Sequence, residues 1–228
     1  MSIQLSKTAL ERNQDRRAAF RYNFGRRVLP ENAVFVDESS FDRRTSLRNR
    51  AWALRGKKAE RKWFFVPGRR FVSFGSHFFQ MIHTIFHRYS LLPALTTNGV
   101  IYARVVEGSF TMRRFRSFIE GLLDRMDQSM KRGSYIIMDN ARIHHHDSIQ
   151  ELIEGRGYNI MFLPPYSPDF NPIELAFSAI KAYVRRENVI GRDEHGTNDT
   201  YVYTHLLDAA FSATGESAKG WFHHCGYL

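Results

Sequence analysis

Two short apolar runs, each stopped by an aspartate, constrain this chain most. They are Ala33-Val34-Phe35-Val36 before Asp37 and Tyr135-Ile136-Ile137-Met138 before Asp139. Neither run alternates apolar with polar residues, so each reads as a strand that must be covered on both faces. Helices on both sides of a sheet supply that cover, which predicts an α/β domain. In such sheets, sites are usually built at the C-terminal edge of the strands. The two aspartates therefore leave the sheet where chemistry is normally placed.

The rest of the chain supports the same architecture. Residues 89–95 and 100–106 flank Asn98-Gly99, a strong hairpin signal. Phe115, Phe118, Ile119, Leu122 and Met126 recur at helical spacing and predict an amphipathic helix near 111–130. Ile149, Leu152 and Ile153 mark a short helix, and residues 159–163 a further strand stopped by Pro164-Pro165. Asn171-Pro172 then reads as a helix start, with asparagine as N-cap and proline in the first turn. Ile173, Phe177, Ile180 and Val184 form that helix's apolar stripe. One turn past the cap stands a third acid, Glu174.

Charge is unevenly placed. Residues 1–70 carry 18 basic and 7 acidic side chains, whereas residues 71–228 carry 15 and 16. The whole excess of positive charge thus lies in the first third, the footprint of a polyanion binder. Residues 7–27 read as a basic, helix-permissive linker with too few apolar residues to build a core. Within 42–70, Arg43, Arg44, Arg48, Arg50, Lys57 and Lys58 surround Trp52, and Trp63 follows. That mixture suits phosphate contact combined with stacking on bases; the alternative is a partly packed basic loop. No run reaches the roughly 18 clean apolar residues of a membrane span. A single cysteine, Cys225, excludes an internal disulfide framework. The expectation is a soluble intracellular protein.

Carboxylates gathered at one edge repel each other unless a cation offsets them. Asp37, Asp139 and Glu174 are hard oxygen donors, which favours Mg²⁺ or Mn²⁺ over Zn²⁺. Taken singly, each also has a structural reading as a turn residue or as a complement to a helix dipole. Glu38, Asp42 and Asp169 are competing carboxylates that read as structural. Asn140 and His144 either orient ligands or cap the following helix. The His144-His145-His146 run reads as surface or supporting residues, since consecutive histidines on a helix cannot all face one ion. His223, His224 and Cys225 read as a structural tail.

Three blocks turn these pieces into a resemblance. They are Val36-Asp37-Glu38-Ser39, then Met138-Asp139-Asn140-Ala141-Arg142-Ile143-His144-His145, then the stretch from Leu163-Pro164-Pro165-Tyr166-Ser167-Pro168 through Asp169-Phe170-Asn171-Pro172-Ile173-Glu174. Residues 140–173, 34 in number, separate the second and third acids. In these blocks and this spacing the chain resembles DDE transposases of the mariner superfamily, in the branch with a terminal glutamate. Gly108-Ser109-Phe110 and the closing Trp221–Tyr227 stretch are similar to fungal and related eukaryotic members.

The resemblance implies a ribonuclease H-like fold, a mixed five-stranded sheet flanked by helices. It implies that Asp37, Asp139 and Glu174 hold two Mg²⁺ (or Mn²⁺) ions. These would cleave DNA at a transposon end, and the freed 3′-hydroxyl would attack target DNA. It further implies DNA as partner, a dimer assembled on it, and a nuclear location if the source is eukaryotic. Residues 1–30 correspond to a basic linker or remnant of an upstream DNA-binding region, 31–190 to the catalytic domain and 191–228 to a C-terminal extension. Relatives carry helix-turn-helix modules ahead of the linker, so an N-terminal truncation is expected. Residues 71–87 read as an insertion, either a decoration of the domain or the translation of a sequence normally removed from the message. These departures leave a second reading, a catalytically silent DNA-binding or interaction remnant. A third, a nuclease of the same fold acting on RNA or hybrids, is disfavoured by the proline-rich block before Glu174.

Overall fold

A computed structural model of the chain describes residues 12–42, 45, 55–56, 88–140, 146–187, 189–190 and 199–228. The candidate DNA contacts Arg43, Arg44, Arg48, Arg50, Trp52, Lys57 and Lys58 lie outside the described residues, as do His144 and the 71–87 segment.

The sheet forms around the predicted buried runs. Strand β1 (Ala33–Val36) pairs in parallel with β5 (Tyr135–Met138), which pairs in parallel with β6 (Asn159–Phe162). On its other side β1 pairs antiparallel with β3 (Tyr89–Thr96), and β3 with β4 (Gly99–Glu107). A short strand, β2 (Ser39–Phe41), continues β1 along β3 in unbroken register: Phe35 faces Leu95, Val36 faces Ala94 and Ser39 faces Leu91. The expected five positions thus contain six segments, because the first strand is interrupted at Asp37-Glu38. In that register Asp37 lies across from Pro93, which has no N–H to give to a ladder.

Alternation sorts β1 between two cores. Val34 and Val36, with Ile136, Met138, Leu92 and Ala94, pack on helices α2 (Met112–Ser129) and α3 (Asp147–Gly155). Ala33 and Phe35, with Ile137, Leu91 and Leu95, face the opposite core. Side chains there come from α1 (Gln14–Arg27), α4 (Pro172–Glu187), α5 (Asp199–Phe211) and α6 (Gly215–His224). The buried stripe of α2 matches the predicted one, and Thr111 accepts from the backbone N–H of Arg114 at its start. No helix among the described residues is long and apolar enough to cross a membrane.

The N-terminal segment departs from its reading as a bare linker. Phe20, Phe24 and Val28 recur at helical spacing and are buried in the second core. Phe24 lies 4.4 Å from Tyr227 and 6.5 Å from Phe35, centroid to centroid. Few apolar residues suffice because these are large and their partners come from remote parts of the chain. The C-terminal residues likewise form packed helices, with Phe222 set edge-on to Phe35 at 5.3 Å. Burial pushes the Cys225 thiol up to about 11, so it stays neutral and serves as a small apolar core residue.

The hairpin turn also shifts by one residue. Thr96 pairs with Gly99, leaving Thr97 and Asn98 as the turn, so Gly99 begins the returning strand. Gly99 has φ +107°, and a Cβ there would stand 2.5 Å from the Ala213 carbonyl oxygen. The tip of the sheet therefore sits directly under the α5–α6 turn. Gly99→Ala is expected to destabilise the fold by about 1–3 kcal/mol, read as a lower midpoint in thermal denaturation.

Candidate active site

Strand register assembles the first half of the site. Val36 and Met138 are paired in the parallel β1–β5 ladder, so Asp37 and Asp139 leave neighbouring strands side by side, separated by roughly one strand spacing of about 5 Å. The loop after β6 supplies the other half. It starts where the Leu163 N–H donates to the Met138 carbonyl at 2.8 Å, beside Asp139. Pro164 and Pro165 stiffen it, and Tyr166 adopts φ +54°, an unusual conformation for a bulky residue. A 3₁₀ turn, Pro168–Phe170, then leads through Asn171 into α4, whose first turn carries Glu174.

The result is a cleft of about 400 Å³ lined by Asp37, Asp139, Asn140, Asn171 and Glu174 together with the 163–168 loop. All three acids singled out in the sequence are thus brought to one cleft. Asp37 and Asp139 are half-buried, whereas Glu174 and Asn140 are exposed. Among the described residues no three His, Cys, Asp or Glu side chains close into a tight ligand set. Glu174 lines the same cleft as the aspartates without forming a compact cage with them. The donor set nevertheless fits a hard divalent cation, since it consists of carboxylate oxygens and lacks sulfur and imidazole.

Asp37 is held in place. Its Oδ1 accepts from the Glu38 backbone N–H at 2.7 Å and its Oδ2 from Asn171 Nδ2 at 2.8 Å. Asn171 therefore does not cap α4 with its side chain, as the sequence suggested; the amide is drawn to the carboxylate beside it. Asn140 does not cap the following described helix either, because His146 occupies the N-cap of α3. Two of the competing acids, Asp42 and Asp169, have structural partners. Asp42 Oδ1 accepts from the N–H and hydroxyl of Thr45, and Asp169 pairs with arginines of α1.

That last pairing was not legible in the sequence. Arg17, only 6% exposed, donates to Asp169 through Nη1 at 3.0 Å and Nη2 at 2.6 Å. Its guanidinium also lies 3.9 Å from the Phe170 ring centroid, and Phe20 stacks on that ring at 5.8 Å. From the other side, the Tyr227 hydroxyl donates to the Phe170 carbonyl at 2.6 Å. Both ends of the described chain grip the 3₁₀ turn that precedes Asn171. The hydrogen bond from Arg17 holds the Asp169 carboxyl below its ordinary 3.8. A carboxylate depressed by folding stabilises above its unfolded pKa, and the contribution is lost as pH falls through the folded value. Asp169 is about half exposed, so screening limits this contribution to about 1 kcal/mol. Asp169→Asn is therefore expected to lower the thermal midpoint modestly at pH 7. The gap should close below about pH 3.8, measured by circular dichroism melts across pH.

The model of the family described as DDE superfamily endonuclease matches residues 32–195. The chain belongs to that family. Among solved structures, this DDE domain is similar to the Mos1 transposase catalytic domain with raltegravir and Mg. That match has 16% identity and TM-score 0.60, covering 95% of this chain and 91% of the other. It is also similar to the Mos1 paired-end complex with the left transposon end, at 14% identity and TM-score 0.58, covering 96% and 66%. The Mos1 strand transfer complex matches at 14% identity and TM-score 0.56, covering 96% and 65%. The DDE domain thus has the ribonuclease H-like fold and spans about two-thirds of the transposase chains in those complexes. No curated protein matches the sequence.

Proposed function

We propose that this DDE domain cleaves and joins DNA strands as the catalytic part of a transposase. The observation that carries the reading is the meeting of Asp37, Asp139 and Glu174 in one cleft at the C-terminal edge of the sheet. Asp37 and Asp139 would hold two Mg²⁺ or Mn²⁺ ions, with Glu174 completing one site. Such ions supply activation of an attacking oxygen and offset charge on the leaving oxygen of an in-line phosphoryl displacement. The chain's own part is to orient Asp37 through the Glu38 N–H and Asn171, and to keep the cleft open to solvent at Glu174 and Asn140. Water would attack a phosphodiester and leave a 3′-hydroxyl, which would then attack a second strand with no covalent enzyme intermediate.

DNA is the proposed substrate, supported by the basic excess in residues 1–70 and by the transposon end in the similar paired-end complex. Assembly as a homodimer on DNA, and action in the nucleus if the source is eukaryotic, belong to the same proposal. The test is incubation of the chain with end-labelled duplex, with and without Mg²⁺. Nicks bearing 3′-hydroxyls that appear only with the metal are expected. DNA binding without any metal-dependent nick would favour the silent remnant instead.

A further inference from the structure

Asn171 is 3% exposed and lines the cleft, yet only half of its amide is accounted for. Nδ2 donates to Asp37 Oδ2 at 2.8 Å. Oδ1 is buried and has no hydrogen-bond partner among the described residues. The orientation follows from chemistry: a carboxylate only accepts, so the NH₂ must face Asp37 and the carbonyl must point away from it. Buried acceptors are almost always satisfied, and an exception at a cleft calls for a donor brought by something else. The segment carrying Asn171 is also unusually well fixed, by the Arg17–Asp169 pair on one side and the Tyr227–Phe170 hydrogen bond on the other.

We infer that Asn171 is a positioning residue of the site. Its Nδ2 sets the rotamer of Asp37, and its Oδ1 accepts a hydrogen bond from a water molecule held in the cleft. This inference rests on the DDE reading above and adds to it a fourth residue, with a task in each half of its amide. It also gives the α1 contacts a function, since they hold the turn from which Asn171 reaches the first acid.

The test compares wild type with Asn171→Leu, a near-isosteric change that removes both polar groups, and with Asn171→Ala. Mn²⁺ binding is measured by calorimetry on the full chain, and nicking kinetics are measured alongside. The expected result is a folded Asn171→Leu protein with Mn²⁺ affinity weakened on the order of 10-fold. Its kcat should fall while the KM for DNA is unchanged. Its melting temperature should stay near that of wild type, because the unpaired acceptor is removed together with the hydrogen bond. If Asn171→Leu does not fold, Asn171→Ala decides by the same readings. Wild-type Mn²⁺ affinity and kcat in the folded variant would overturn the inference while leaving the DDE reading intact. A wild-type chain that neither binds Mn²⁺ nor nicks DNA would overturn the DDE reading itself, and the inference with it.

Discussion

Asp139→Asn is expected to reduce metal-dependent nicking by about 10³-fold or more while the protein remains folded. The substitution keeps the shape of the side chain and removes the charge that would hold a cation beside Asp37. Loss of several kcal/mol of transition-state charge stabilisation, at a factor of ten per 1.36 kcal/mol, gives that magnitude. The effect on stability should have the opposite sign. Asp37 and Asp139 leave paired strands side by side, and like charges so placed oppose folding when no cation is present. In metal-free buffer Asp139→Asn should therefore melt at or above the wild-type temperature. A nicking assay paired with thermal melts checks both halves. A variant that is merely unfolded would fail the second.

Removal of residues 1–30 is expected to abolish cooperative folding. Phe20, Phe24 and Val28 fill one side of the core that covers Phe35. Burial of each contributes about 1.5–3 kcal/mol, or roughly 4.5–9 kcal/mol for the three. That is comparable to the whole stability of a typical domain, about 5–15 kcal/mol. The same deletion strips Arg17 from Asp169 and uncovers the Phe170 ring. The point substitution Phe24→Ala should cost about 3–5 kcal/mol. Circular dichroism melts and limited proteolysis of the chain starting at residue 31 provide the check. A cooperative transition within a few degrees of the intact protein would show that α1 is the dispensable linker its sequence suggested.

The contrast between those two regions explains what the sequence could reveal. A strand buried on both faces declares itself in four consecutive apolar residues, and an aspartate right after it is placed by the strand's own end. The places of Asp37 and Asp139 at the edge of the sheet were readable for that reason, and the place of Glu174 in the first turn of α4 from the proline that opens it. The stripe of α1 is sparse and set among arginines, so charge dominated its reading. Its partners Phe35, Phe170 and Tyr227 lie far along the chain, where no local pattern can announce them. Asn171 misled for a related reason: an asparagine before a helix-starting proline is usually a cap. Here a carboxylate from a strand more than a hundred residues earlier competes for its amide and wins. The split of the first strand into β1 and β2 was hidden in the same way, since it falls opposite Pro93, on a strand that comes more than fifty residues later.

The most direct measurement is a calorimetric Mn²⁺ titration of the folded wild-type chain beside Asp37→Asn, Asp139→Asn and Glu174→Gln. The expected result is saturable binding by wild type, weakened at least about 10-fold by either aspartate substitution and by a smaller factor at Glu174. Equal Mn²⁺ affinity in all four proteins would contradict the assignment of the cleft as a divalent-cation site.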